Sequence, residues 1–367
     1  MLEKFWDFVV ESSMSFFIPL VCSYFALSSN LFLNVACEEA VGLEKFGNQC
    51  LAPLHYLCMG RMAVKNSSGE WEFLPRFDYT QNFGAKTALS CATILPGFVL
   101  GTAAKSAALV QKSTRNRHRE MKLALEDTSV RSNNNYYESI GIHLSHFSNP
   151  EWLTPQGHQR RPGDENALAS EKRAMADITA LLTRANIPWW IDCGTCLGAY
   201  RYGGVIPWDE DVDVAVLLPD FDNVCRVLNQ LDPRKYIVQD WSSRDFPKSY
   251  LKVFVRDSKR LVDIYFFKID PESKHIQYIL ALENSMFFPE WWKIRERRFK
   301  APVAIDDVFP LKKTLFDGIE VNMPNDTVKY LQRYYGENLA PAKIYDPITQ
   351  QYEKDLSHPY WQRAYVH

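Results

Sequence analysis

Four acidic residues fall within five positions, Asp209, Glu210, Asp211 and Asp213, and a strongly apolar stretch follows them. In a β-strand alternate side chains share a face, so Asp211 and Asp213 point one way. Val212, Val214 and Val216 then point the other way, toward a covering helix. Two carboxylates held close together resist joint ionisation. A hard divalent cation removes that conflict: Mg2+ (or Mn2+ in its place) takes carboxylate oxygens together with substrate phosphates. That chemistry points at a nucleotide diphosphate or a similar donor. The apolar alternation after Asp213 argues against a merely solvated acidic turn. A third acid, Asp263, is the lone charge in the β-prone run Leu261–Phe267, where an unpaired charge is costly. Metal ligand or general base is its natural role, and a water-facing edge-strand position is the plain alternative.

Ahead of the acids, Asp192 to Asp213 reads DCGTCLGAYRYGGVIPWDEDVD. Gly194, Thr195 and Gly198 would let backbone amides approach phosphate oxygens at a helix start, where the dipole helps. Arg201 would then offer a bidentate grip on phosphate. Cys193 and Cys196 have the CxxC spacing of a zinc or redox site. No second CxxC and no histidine pair stands at a suitable distance, so reduced structural thiols are expected.

The elements that must carry these groups are legible in the periodicity. Ala167 to Asn186 reads as a helix, with Leu168, Met175, Ile178, Leu181 and Leu182 on one side, ending before Pro188. Strands are expected at Trp189–Asp192 and Asp211–Leu217, and a second helix at Asp220–Leu231. Tyr250–Val255 and Leu261–Lys268 read as a hairpin around Asp257, Ser258 and Lys259. This alternation predicts a mixed α/β domain.

With 367 residues the chain suggests two regions. A net charge of −2 lacks the basic footprint of a nucleic-acid binder, so no nucleic-acid partner is expected. The eight cysteines form no recognisable disulfide framework. Residues 1–112 are hydrophobic in character and 113–165 read as a polar linker. Residues 166–345 read as the globular domain that carries the acids, and 346–367 as a C-terminal tail. Two runs, 12–37 and 87–104, carry no charge and approach the roughly 18–20 residues that cross a bilayer. Membrane association through them is one reading; buried helices of an accessory region, or an interfacial helix, is the other. Lys105, Lys112, Arg115, Arg117, Arg119 and Lys122 favour the cytoplasm or the cytoplasmic face of a membrane. A lumen-facing type II arrangement through 12–37, with glycosylation patterns at Asn66 and Asn325, is the alternative.

The string from Asp192 to Asp213 closely resembles the LicD family, which includes the fukutin-type proteins. Val262–Phe266, Asp307–Leu311 leading to Phe316–Gly318, and Tyr334–Gly336 agree with it, so the likeness covers about residues 170–345. The resemblance implies an α/β (α+β) nucleotidyltransferase-like fold, a mixed sheet flanked by helices. It implies a transferase moving a phospho-substituent from a CDP-activated donor, such as CDP-choline or CDP-ribitol, to a hydroxyl of a glycan or glycolipid acceptor. Asp211, Asp213 and Asp263 match the family's metal-binding and catalytic acids, with Asp209 assisting, and Gly194–Thr195 match its turn at the donor phosphates. Arg201 and Lys252 are then candidates to hold those phosphates. A choline cargo would suit an aromatic cage, for which Trp208, Trp291, Trp292 and Tyr334 are available. Transfer of a whole nucleotidyl group, or a decayed, membrane-tethered interaction protein, are the rival readings.

Overall fold

A carboxylate inside an apolar strand is tolerated where neighbouring strands bring it partners, and in this protein strand register does so. The structure, a computed structural model, describes residues 31–79, 81–143, 150–243, 245–281, 283–284 and 289–363. The chain divides into two compact units. One is made of 1–128, 240–248 and 281–290; the other of 129–239, 249–280 and 291–367.

In the first unit β1 (Val35–Cys37) pairs in parallel with β2 (Arg61–Lys65), which pairs antiparallel with β3 (Trp71–Pro75). Between β1 and β2 run α1 (Gly42–Cys50) and α2 (Ala52–Leu57); α3 (Phe83–Ala108) and α4 (Lys112–Glu126) follow. The second uncharged run lies inside α3, the one described helix long and apolar enough to cross a membrane. Helix α3 packs through its small residues. A Cβ on Gly97 would come 2.4 Å from the Cys50 carbonyl oxygen, so only glycine permits that approach. Leu89, Leu95, Val99 and Leu100 of the same helix are exposed. Of the first run, residues 12–30 lie outside the described residues. Its end is no membrane helix: Val35–Cys37 spend their backbone hydrogen bonds on β2.

The stretch 113–165 departs from the linker expectation. It holds most of α4, and then α5 (Asn134–Ser139). Apolar anchors hidden among polar residues are the reason. Thr114 and Met121 bury one side of α4. Tyr137 and Ile142 are fully buried in the core of the second unit, where the Tyr137 hydroxyl donates to Asp220 at 2.6 Å.

The second unit is built on a seven-stranded mixed sheet. Its strands include β4 (Trp189–Ile191) at one edge, then β5 (Val212–Leu217), β6 (Tyr236–Asp240), β7 (Tyr250–Val255) and β8 (Arg260–Asp270). Helix α6 (Ala169–Arg184) buries Met175, Ile178 and Leu182 and packs on β5, β7 and β8. Helix α7 (Cys193–Tyr202) packs on β5. Helix α8 (Phe221–Leu228) lies beside α6. The expected hairpin is present: β7 and β8 are antiparallel, with Lys252 opposite Asp263. Strand β5 runs parallel to β8 on its other edge, with Asp213 opposite Asp263. Helix α9 (Glu290–Arg297) and helix α10 (Thr327–Tyr335) complete the site's surroundings. The described part of the expected C-terminal tail, 346–363, is structured as well. A hairpin of Lys343–Asp346 and Gln351–Lys354 is closed by Tyr345 against Tyr352, ring centroids 5.5 Å apart.

Helix α10 is locked to β4 by a buried polar chain. Trp190 Nε1 donates to the Tyr330 hydroxyl at 3.0 Å, and that hydroxyl donates to Asp192 Oδ1 at 2.7 Å. All three side chains are buried, so removing the central hydroxyl strands both neighbours. Tyr330→Phe should lower unfolding stability by about 1–3 kcal/mol in urea titrations. A change near zero would mean the chain carries no load.

Candidate active site

The site is assembled around the start of α7. Asp192 leaves β4 and caps this helix, its Oδ1 accepting the Cys193 amide at 2.8 Å. One turn in, the Thr195 hydroxyl accepts the Asp213 amide at 2.9 Å. Thr195 is buried and ties α7 to β5, where a place at donor phosphates had been expected. Gly194 has a related task. A Cβ there would come 2.4 Å from Asp209 Oδ2, so its missing side chain makes room for that carboxylate at the cleft wall.

Oxygens of Asp211, Asp213 and Asp263 lie within 4.8 Å of one another. Asp263 is pinned from three sides: by the Tyr250 hydroxyl at 2.7 Å, by Lys252 Nζ at 2.8 and 2.9 Å, and by the Tyr265 hydroxyl at 3.3 Å. It is buried in a central strand, so the water-facing edge reading is set aside. Burial and then the charge of Asp263 push the Asp211 carboxyl up to about 6, against the pull of Lys252 and Arg295. Burial, with Asp211 beside it, pushes Asp209 up to about 8. Asp213 is driven well above the ordinary carboxylate range by burial and by Asp211 and Asp263. Three convergent hard oxygens whose charges oppose one another are the donor set that a divalent cation fits.

Asp209, Asp211 and Asp213 open onto a cleft of about 250 Å³. Its walls include Trp208, Arg295, Glu296, Arg298, Tyr335, Lys343, Tyr360 and Trp361. The two cations expected on phosphate are engaged elsewhere. Arg201 is buried, its Nε and Nη2 donating to the carbonyls of Leu339 and Ala340 at 2.6 and 2.7 Å. Lys252 is held by Asp263 and so orients a carboxylate. Of the aromatic candidates, Trp208 lines the cleft, whereas Tyr334 is buried in the core and Trp291 and Trp292 are not on the cleft wall. Burial, reinforced by Asp192, raises the thiols of Cys193 and Cys196 well above their usual range, which suits protonated structural cysteines.

Sequence reasoning missed Arg295, Glu296 and Arg298, although the charge-dense stretch after Trp291 and Trp292 was a signal. Glu296 is buried and accepts from Arg295 Nε at 2.9 Å. Lys343, Tyr360 and Trp361 had no local signal, since the ordered end of the chain brings them to the cleft.

Comparison with known proteins bears out the LicD resemblance. Residues 186–326 match the nucleotidyltransferase domain of the LicD/FKTN/FKRP family. An uncharacterised protein of Rickettsia typhi is 31% identical over 184 residues, 48% of this chain and 51% of its own length. Ribitol 5-phosphate transferase FKRP of Mus musculus is 41% identical over 174 residues, covering 46% of this chain and 31% of that protein. Ribitol-5-phosphate transferase FKTN of Mus musculus is 27% identical over 199 residues, covering 49% and 36%. The chain thus spans about half the length of the Rickettsia typhi relative and less of the two transferases. Among solved structures, the lincosamide antibiotic adenylyltransferase LnuA overlaps 46% of this chain and 98% of its own at a TM-score of 0.26 and 11% identity.

The crowded acids set a pH dependence. Above about pH 4 the unfolded chain has released protons that the folded chain still keeps on Asp209, Asp211 and Asp213, so these groups lower stability as pH rises from 4 toward 8. With chelator present, Asp213→Asn should therefore gain stability over the wild type, more at pH 8 than at pH 5. The gain at pH 8 should be on the order of 1–2 kcal/mol, read from thermal midpoints. Equal midpoints at both pH values would contradict this electrostatic account.

Proposed function

We propose that this chain, whose residues 186–326 belong to the LicD/FKTN/FKRP nucleotidyltransferase family, is a metal-dependent transferase. It moves a phospho-substituent from a CDP-activated donor to a hydroxyl of a glycan or glycolipid. The observation that carries this reading is the convergence of Asp211, Asp213 and Asp263, of which the first two line a cleft with aromatic and cationic walls. The names of the two mouse relatives favour a polyol phosphate such as ribitol 5-phosphate as cargo, with phosphocholine the other member of the class.

Asp211, Asp213 and Asp263 would hold Mg2+ or Mn2+, which when bound neutralises charge on the phosphoryl group. Tyr250, Lys252 and Tyr265 orient Asp263. Transfer breaks the bond between the substituent's phosphorus and the CMP oxygen and forms the bond to the acceptor oxygen. The acceptor's proton passes to a cleft carboxylate, for which Asp209, on the cleft wall beside Gly194 and outside the three acids that would hold the metal, is the candidate.

The test is release of CMP from CDP-ribitol, CDP-glycerol and CDP-choline by the full chain, with a glycan acceptor and Mg2+. One donor should be consumed, and Asp211→Asn should cut the rate by about a hundredfold or more. A product carrying the whole nucleotide would replace this reading with nucleotidyl transfer. A folded protein that consumes none of the donors would refute it.

We also propose that α3 meets lipid. Between Lys86 and Lys105 it carries no charge, and its exposed side is Leu89, Leu95, Val99 and Leu100 where a water-facing helix would be polar. The exposed Lys112, Arg115, Arg119 and Lys122 next in the chain suit anionic headgroups on a cytoplasmic face. The full chain should float with phosphatidylserine-containing vesicles, and Leu95→Glu with Val99→Glu should abolish flotation. Unchanged flotation of the double variant would exclude α3 as the contact.

A further inference from the structure

The cleft must hold a donor's phosphates, yet Arg201 and Lys252 are spoken for, by two carbonyls and by Asp263. Arg295, a third cation on the wall, is paired with Glu296. That leaves two others. Arg298 lies over the rings of Phe299 and Tyr335, its Cζ 5.1 and 5.7 Å from their centroids. Its Nε is buried with no hydrogen-bond partner, a costly state for a group that carries charge. Lys343 stands between two indoles, Nζ 5.0 Å from the Trp208 centroid and 6.0 Å from that of Trp361. Neither Arg298 nor Lys343 forms an ion pair with a carboxylate among the described residues; Glu296, which feels the charge of Arg298, is paired with Arg295.

Lys343 is further exposed to a like charge. Its directly opposite residue in the C-terminal hairpin is Lys354, whose Nζ also lies over Trp361, at 4.5 Å. Like charges facing each other across a hairpin destabilise it. Two ammonium groups on one indole, with no acid between them, form an arrangement that an anion relieves. Asp209, Asp211 and Asp213, the cations Arg298 and Lys343, and the indoles of Trp208 and Trp361 line the same cleft.

We propose that Arg298 and Lys343 grip the diphosphate of a nucleoside-diphosphate-linked donor, with Trp208 and Trp361 beside it; this rests on the transferase reading given above. Arg298 supplies the planar fork that matches phosphate oxygens, and Lys343 a point charge. Lys343 and Trp361 lie outside the segment that matches the family, residues 186–326. On this reading the donor site draws on residues C-terminal to that segment.

Binding of inorganic pyrophosphate, CDP and cytidine to the full chain, measured by calorimetry with Mg2+ present, tests this. Arg298→Ala and Lys343→Ala should each weaken pyrophosphate and CDP by about tenfold or more. Cytidine, which has no phosphate, should bind each variant as it binds the wild type. Arg298→Lys should recover only part of the loss, because it keeps the charge and loses the fork. Circular dichroism and thermal midpoints confirm that each variant is folded. Wild type that binds no pyrophosphate, or folded variants within threefold of wild type for both ligands, overturn the proposal. Pyrophosphate binding that depends on both residues, with no CDP-linked donor consumed, leaves the grip standing and removes the transferase reading.

Discussion

Everything in the second unit follows from the register between β5 and β8. Parallel pairing sets Asp213 beside Asp263, and β7 on the other edge sets Lys252 across from the same acid. Because side chains alternate with period two, a slip of one residue would turn Asp263 toward the side now taken by Val262 and Ile264, both fully buried. The apolar alternation therefore does more than fill the core: it fixes which face the acids occupy. The tyrosines follow from the same constraint. Tyr250 and Tyr265 are cross-strand partners whose rings stack with centroids 5.1 Å apart, and both hydroxyls reach Asp263.

That concentration of acid is an unfavourable feature of the fold taken alone. Lys252 and two tyrosine hydroxyls satisfy Asp263; Asp209, Asp211 and Asp213 have no comparable set of partners among the described residues, and burial and mutual repulsion raise their pKa values. A local arrangement that burial and repulsion both oppose persists only where the surrounding sheet over-determines it. Here the sheet does, through the Thr195 hydroxyl on the Asp213 amide and the Asp192 cap on α7. Perturbed carboxyls in a cleft are the usual mark of a site selected for chemistry.

The strands, the hairpin and the acids were legible in the sequence because each rests on local periodicity or on residue type. What was not legible is competition between partners. Arg201 follows a glycine turn and reads as a phosphate clamp, yet two carbonyls near position 340, far along the chain, claim its guanidinium. Lys252 reads as a second hold on the donor phosphates until register places Asp263 opposite. Gly194 reads as a phosphate-approach glycine, and the group that approaches it is Asp209. The polar stretch after residue 112 and the end of the chain were misjudged for another reason. A few anchors, such as Tyr137 and Trp361, order segments whose average composition is loop-like.

The division into units has a consequence for how the protein comes to exist. The chain passes from one unit to the other five times, after 128, 239, 248, 280 and 290. Within the first unit, Glu72 pairs with Lys248, 176 residues later, at 3.4 Å. Such closures carry the loop entropy of long separations, so the first unit cannot be finished until more than three quarters of the polypeptide has been made. Synthesis in order from the N-terminus thus leaves it waiting on segments embedded in the sequence of the second unit. A break at residue 128 would leave the first unit without 240–248 and 281–290, and the remainder carrying two segments that belong elsewhere.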